Sequence, residues 1–431
     1  MKKMLLPVVI LLMLIFLFAV TGCQAVESAF SKASAAKTPA GVADEFPVKA
    51  AEESPAKTPA KMTKTTTADL SPNSRYPIGD GQVTINIALV GDIMVHDSQL
   101  KAGWDTRTGQ YDFSEYFRDV TDYIQKADLA IGNLETTVAG SDRGYNGYPK
   151  FNSPEEIVSV VKNAGFDVVT NANNHSMDRG ASGVVATIYQ LDEAGLKHTG
   201  TASSLSDRAK YLLVDIKGIK VAILAYTYGT NGIAVPKGQA YLVNLINIPQ
   251  IKEDIREVRA LGADVVLVSP HFGTEYSRSP GVKEKELVEQ IFKAGADIVA
   301  GSHPHVLQAM ARRDPQREEG MFLAYSLGNF VSAQREQFRD SGIILNLTLQ
   351  KDLATGKVTL SKAGYIPTWV QIGYRNGKKV YRVLAVEKGI RNYRQGTDPV
   401  LRRRDFERLR QVWEETTRML SGQAAPDLQH V

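Results

Sequence analysis

From Val83 onward, apolar strand-like runs alternate with amphipathic helix-like runs, and this alternation restricts the possible folds more than any other feature of the chain. "TINIALVGDIM" reads as a buried strand, "FSEYFRDVTDYIQKA" has helical periodicity, "DLAIGNLE" is again a strand, and "PEEIVSVVKNAG" is a helix opened by proline. The cycle continues through "FDVVTNANNH", "ASGVVATIYQLDEAG", "IPQIKEDIREVRALG", "ADVVLVSPHFG" and "VKEKELVEQIFKAG" to "ADIVAGSHPH" and "MFLAYSLGNF". Within it, "YLLVDIKGIKVAILAYTY" is a hairpin turning at Lys217 and Gly218. Such a pattern predicts an α/β fold with helices covering the central strands on both faces. After Ser341 the chain reads as antiparallel strands at a sheet margin, turning at "LATGK", and it ends in a charged amphipathic helix. The arginine cluster Arg402 to Arg404 is taken as a solvated face of that helix.

The first 81 residues differ in kind. Two lysines, an apolar run to Val20 and the sequence "VTGC" precede the only cysteine, Cys23. Such a run is close to the ~20 residues that span a bilayer, but "VTGC" resembles a bacterial lipobox, in which cleavage before the cysteine is followed by lipidation of its thiol. Residues 1–22 are therefore expected to be a lipoprotein signal peptide and Cys23 the lipidated residue, which would anchor the protein on the extracytoplasmic face of the bacterial cell membrane. Residues 23–81, rich in Ala, Lys, Thr and Pro with "AKTPA" occurring twice, read as a disordered tether. A domain over 82–380 and a helical C-terminal extension over 381–431 complete the expected organisation. With 51 basic against 47 acidic residues, the net charge of +4 lacks the electrostatic footprint of a nucleic-acid-binding protein.

Polar residues gather where the apolar strands end. Asp92 follows "IALVG", Glu135 follows "LAIGNL", Asn174 and His175 follow "VVTNAN", His271 follows "VVLVSP", and His303 and His305 follow "DIVAGS". In open α/β sheets this edge is where loops converge on ligands. Two carboxylates, an amide oxygen and three imidazoles on one edge suit one or two divalent transition metals, Mn, Zn or Fe. A pair of such ions can bind phosphoryl oxygens and supply a hydroxide for attack.

The ordered motifs "GDIM", "GNLE", "NNHSMD", "PHFGTEY", "GSHPH" and "SLGNF" resemble the CapA family of poly-gamma-glutamate capsule synthesis proteins, which is related to calcineurin-like metallophosphoesterases. The resemblance runs from about Ile85 to about Leu349 and implies a metallophosphatase-like layered sandwich of central β-sheets flanked by helices. It implies Asp92 as a ligand of a first metal, Glu135 as the bridging carboxylate, Asn174, His271 and His303 around a second metal, and His305 returning to the first. His175 would then face the substrate as proton donor, oriented by Asp178, with Glu275 and Asn329 as substrate or supporting groups. Met94 departs from the phosphoesterase pattern, which has histidine at that place, so the first metal depends on the remaining donors or on His96 as a substitute. The resemblance implies capsule or poly-gamma-glutamate synthesis, export or anchoring, with an anionic polymer and other capsule-synthesis subunits as partners. An extracytoplasmic metallophosphoesterase acting on nucleotides or phospho-sugars, and a non-catalytic polymer-binding subunit, stay open beside it.

Overall fold

The computed structural model describes residues 81–313 and 321–421, with the backbone of two short strands, Thr67–Asp69 and Leu428–His430. The expected signal peptide, Cys23 and most of the tether lie outside the described residues. Among the described residues no helix is long and apolar enough to cross a membrane.

Four strands, β1 (Gln82–Ile93), β2 (Leu129–Leu134), β3 (Val168–Thr170) and β4 (Lys197–Thr199), pair in parallel in that order. The expected hairpin joins β5 (Leu212–Ile216) to β6 (Ile219–Thr227), with Lys217 and Gly218 at φ 54° and 82°, the positive values that a two-residue hairpin turn needs. Next, β7 (Val265–His271) and β8 (Ile298–Ala300) add to β6 in parallel. After them β9 (Met310–Arg312) and β10 (Phe322–Ala324) complete this sheet, β10 parallel to β8 and β9 antiparallel to β10. The chain then crosses through β11 (Asn329–Val331), which pairs with the end of β1, into the antiparallel run β12 (Ser341–Asp352), β13 (Val358–Arg375) and β14 (Lys378–Ala385), with β12 beside β1.

The two sheets pack face to face. Ile85, Ile87, Leu89, Leu129 and Ile131 of one meet Val221, Ile223, Val265, Leu267 and Ile298 of the other in a single buried cluster. Because side chains alternate along a strand, the intervening residues point outward to helices. Ala88, Val90, Ala130 and Val169 pack on Ile157, Val158 and Val161 of α1 (Glu156–Asn163). Ala222, Leu224, Val266 and Val268 pack on α3 (Ile248–Ala260) and α4 (Val282–Lys293), while α2 (Gly180–Glu193) follows β3. Each fully buried valine or leucine contributes roughly 1.5–3 kcal/mol. The result is a four-layer α/β sandwich, in which each sheet carries helices on one face only, the other face being covered by the second sheet.

Two local features differ from the sequence expectation. Regular helix in "FSEYFRDVTDYIQKA" is confined to Thr121–Gln125. The preceding residues form tight turns, because Asp112 Oδ1 accepts from Ser114 N and the Tyr116 carbonyl accepts from Val383 N of β14 instead of continuing a helical ladder. Sheet structure also continues through Ala385, past residue 381 where a helical extension was expected to begin, because β14 pairs residue by residue with β13. Beyond it, α5 (Val386–Gln395) and α6 (Arg403–Ser421) cover Trp369 and Leu384 with Val386, Leu409 and Val412. Beneath them Arg382, 1% exposed, donates to Gln371 Oε1 and to Asp398 Oδ2 at 2.8 Å. Arg402, Arg403 and Arg404 are exposed, as a solvated face requires.

Candidate metal centre

The strand ends β1, β2, β3, β7 and β8 deliver their polar residues to one place. Gly91 lets β1 pass directly beneath the β10–β11 connection: a Cβ there would lie 1.8 Å from the Gly328 carbonyl oxygen, the same oxygen that accepts from Asp92 N at 3.1 Å. This contact fixes Asp92. Its Oδ1 accepts from Asn133 Nδ2 at 2.8 Å and its Oδ2 lies 3.0 Å from His305 Nδ1. Glu135, fully buried, is positioned by its own N–H donating to the Ile93 carbonyl.

The turn after β3 is built from its own side chains. Ser176 Oγ donates to the Asn171 carbonyl at 2.7 Å, Asn173 Oδ1 accepts from His175 N at 3.1 Å, and Asn173 Nδ2 donates to the Leu134 carbonyl at 2.8 Å. The turn thereby directs Asn174 Oδ1 to within 2.9 Å of His271 Nε2. It also places His175 Nδ1 2.7 Å from Asp178 Oδ2.

Hydrogen-bond partners assign the His305 tautomer. His305 Nδ1 faces two acceptors, Asp92 Oδ2 at 3.0 Å and Asn329 Oδ1 at 3.1 Å, so it carries the proton and leaves Nε2 as a lone pair 3.7 Å from Glu135 Oε1. His271 Nε2 faces Asn174 Oδ1 at 2.9 Å and Glu135 Oε1 at 3.5 Å, while its Nδ1 meets Ser302 Oγ at 2.9 Å and Asn133 Nδ2 at 3.4 Å. Two buried atoms in this space have no hydrogen-bond partner, Glu135 Oε1 and His303 Nδ1. Buried polar atoms left without partners are costly, and a cation between them would offset that cost.

Three donor sets fit such a cation, each with its atoms within 4.8 Å of one another: Asp92, Glu135 and His305; Glu135, His271 and His303; and Glu275, His303 and His305. Glu135 belongs to the first two, as a bridging carboxylate would. Burial drives its carboxyl well above the ordinary carboxylate range, and the charges of Asp92, Glu275 and Asp178 add to that rise. Burial likewise holds His271 well below the usual imidazole value and His303 at about 4, with neighbouring histidines lowering both further. Neutral imidazoles are the form in which a divalent cation takes histidine ligands, and a bound cation would offset the cost of keeping the Glu135 carboxyl ionised.

The structure thus brings together Asp92, Glu135, Asn174, His271, His303 and His305, with His175 and Asp178 alongside. Asn329 touches His305, and Glu275 enters only the third donor set. His96 is in none of these sets; its Nδ1 accepts from Ala333 N at 3.4 Å and its ring lies edge-on to Phe151. In this conformer it does not take the place of the histidine that Met94 replaces.

A profile of the family described as "Bacterial capsule synthesis protein PGA_cap" matches residues 86–334, more than half of the chain. The chain belongs to this family. Among PGA_cap relatives, the Capsule biosynthesis protein CapA of Bacillus anthracis is 32% identical over 271 residues, 60% of this chain and 63% of that protein. The PGA biosynthesis protein CapA of Bacillus subtilis (strain 168) is 31% identical over 269 residues, 60% of this chain and 67% of that protein. The match thus spans just under two thirds of the B. anthracis relative. The calcineurin-like phosphoesterase YfkN from B. subtilis overlays 78% of this chain and 98% of its own, at 14% identity and a TM-score of 0.41, a likeness too slight to bear on chemistry.

Several residues of this PGA_cap site escaped sequence reasoning. Asn133 contacts Asp92, Glu135 and His271 at once, Ser302 Oγ meets His271 Nδ1, and Tyr228 lies beside His303 with ring centroids 4.7 Å apart. Asn133 and Ser302 sit inside the motifs "GNLE" and "GSHPH", which mark the segments without marking these side chains. Tyr228 has no such signal. A cavity of about 340 Å³ borders His175, Asn174 and Asp178, lined also by Tyr148, Pro149, Lys150, Asn231, Ile233 and Glu275.

Proposed function

We propose that this PGA_cap protein acts on an anionic cell-surface polymer, poly-gamma-glutamate or its precursors, through a metal-dependent site of hydrolase type. We further propose that it works at the extracytoplasmic face of the membrane, anchored through Cys23 and joined by other capsule-synthesis subunits. The observation that carries the reading is the convergence of Glu135 Oε1 and His303 Nδ1, both buried and unpartnered, within donor sets that share Glu135, next to a hydrogen-bonded His175–Asp178 pair.

Asp92, Glu135, Asn174, His271, His303 and His305 would hold one or two divalent ions. When bound, such an ion supplies Lewis-acid polarisation of a substrate acyl or phosphoryl oxygen. The chain's own residues do the rest. Asp178 Oδ2 accepts the Nδ1 proton of His175, fixes its tautomer and supports the imidazolium that forms when the ring takes up a proton. His175 Nε2 is then the nitrogen left to transfer a proton to a leaving group in the cavity that the residue lines. Phe151, perpendicular to the His175 ring at 4.6 Å, excludes water from one side of it.

The test combines two measurements on the full chain. Parent protein should retain one or two equivalents of a transition metal after dialysis, and His271→Ala should lose them. In cells lacking the gene, the parent should restore surface polymer, and His271→Ala or His303→Ala should not. Unchanged polymer amount and length with either variant would sink the proposal.

A further inference from the structure

The cavity beside His175 has one lysine or arginine in its lining, Lys150, and no contact of the donor sets involves it. Its side chain is exposed, and among the described residues no hydrogen bond or ion pair engages its ammonium. What sets Lys150 apart from the other exposed lysines is its place: it is the cation in the lining of the cavity that His175 borders, where an anionic ligand would meet it.

The backbone around Lys150 is held more firmly than its exposure suggests. Asn146 and Asn152 exchange two backbone hydrogen bonds at 3.0 and 2.8 Å, forming the base of the loop that carries Tyr148, Pro149 and Lys150. Gly147 N donates to Asp97 Oδ1 at 2.7 Å, anchoring one side. On the other side Phe151 N donates, also at 2.7 Å, to Asp178 Oδ2, the oxygen that orients His175. A single carboxylate oxygen therefore fixes both the proton donor and the residue following Lys150, and the separation of the imidazole from the base of the lysine is set by the fold. Glu275, the other charged side chain free to meet a ligand in this cavity, shares a donor set with His303 and His305 and so belongs to the cation side of the site.

We infer that Lys150 is the anion-binding residue of this cavity, its ammonium seating a free carboxylate or phosphate oxygen of the substrate while the reacting group lies at the donor set. The inference rests on the proposed function of the site and adds the charge that the substrate must carry next to the reacting group. A chain of glutamates linked through their side-chain carboxyls presents one free carboxylate per unit, which would meet Lys150 at every register.

Binding to the manganese-loaded full chain tests this, read by fluorescence anisotropy with a labelled oligomer of gamma-linked glutamate. The same oligomer with its carboxylates converted to primary amides, and 4-nitrophenyl phosphate as competitor, separate the sources of the anion. Lys150→Met should weaken the carboxylate oligomer about tenfold and lower its salt dependence, Lys150→Arg should restore most of the loss, and the amidated oligomer should bind parent and variant alike. Equal binding of the carboxylate oligomer to parent and Lys150→Met would overturn the inference while leaving the polymer reading intact. If the parent ignores the oligomer but binds 4-nitrophenyl phosphate in a Lys150-dependent way, the anchor stands, its anion is phosphate, and the polymer reading falls. A parent that binds neither probe overturns the anchor too.

Discussion

Replacing Glu135 with glutamine separates the metal reading of this site from any purely structural one, because the two predict stability changes of opposite sign. Without a cation, Glu135 is a fully buried carboxyl with an unpartnered Oε1, crowded by Asp92. Leaving such a group unsatisfied costs about 1–3 kcal/mol. Glutamine keeps the shape and offers N–H groups that can donate to Asp92, so in chelator Glu135→Gln should be more stable than the parent by that amount. At the entropy typical of a domain of about 300 residues, this raises Tm by roughly 2–5 °C. With manganese the order should reverse. The parent gains about 2.7 kcal/mol at a hundredfold excess over its dissociation constant, whereas the variant lacks the carboxylate common to two donor sets and gains little. Thermal unfolding followed by circular dichroism, with chelator and with manganese, reads both signs. A variant less stable than the parent in chelator, or one stabilised by manganese as much as the parent, would refute the reasoning.

Other outcomes follow from the same geometry. On the proposed function, His175→Ala should retain the parent's metal, measured by elemental analysis, yet lower turnover of the proposed polymer substrate by about 10²-fold or more; lost metal would place His175 among the ligands instead. Gly91→Ala forces a Cβ to 1.8 Å from the Gly328 oxygen, so soluble yield and cooperative melting should both collapse, and a parent-like melt would contradict the close approach. Arg382→Ala leaves the buried Gln371 and the half-buried Asp398 without their partner and should cost about 1–3 kcal/mol in urea unfolding. Burial pulls the Asp398 carboxyl upward, but the hydrogen bond and charge of Arg382 outweigh it and hold that carboxyl below its ordinary value. The pair therefore stabilises the parent above about pH 4, and this contribution fades as pH falls through the folded value; Arg382→Ala should lack that acid-side slope.

The strand ends were legible because a buried parallel strand is an apolar run, and the first polar residues after it must face the edge where the loops gather. Glu135, Asn174 and His303 follow their strands, while Asp92 and His271 fall in the last residues of theirs. The covering of each strand was not legible, since Ile87 against a second sheet and Val90 against helices leave the same apolar signature. Nor was the extent of helix around Tyr116, whose carbonyl is diverted to Val383 across more than two hundred and sixty residues of chain. Tyr228, Ser302 and Lys150 went unread for a related reason. Their residue types are common on any surface, and only the fold places them beside the histidines.

The donor sets draw on both ends of a long stretch of chain, from Asp92 to His305, and Asn329 lies farther still. The two sets that share Glu135 take residues from both sheets and are complete only once the sheets have met, whereas Glu275, His303 and His305 lie close together in the chain. A half-made protein therefore lacks the two sets that share Glu135. An ion bound through Glu135 as proposed would therefore mark a molecule whose two halves have found each other.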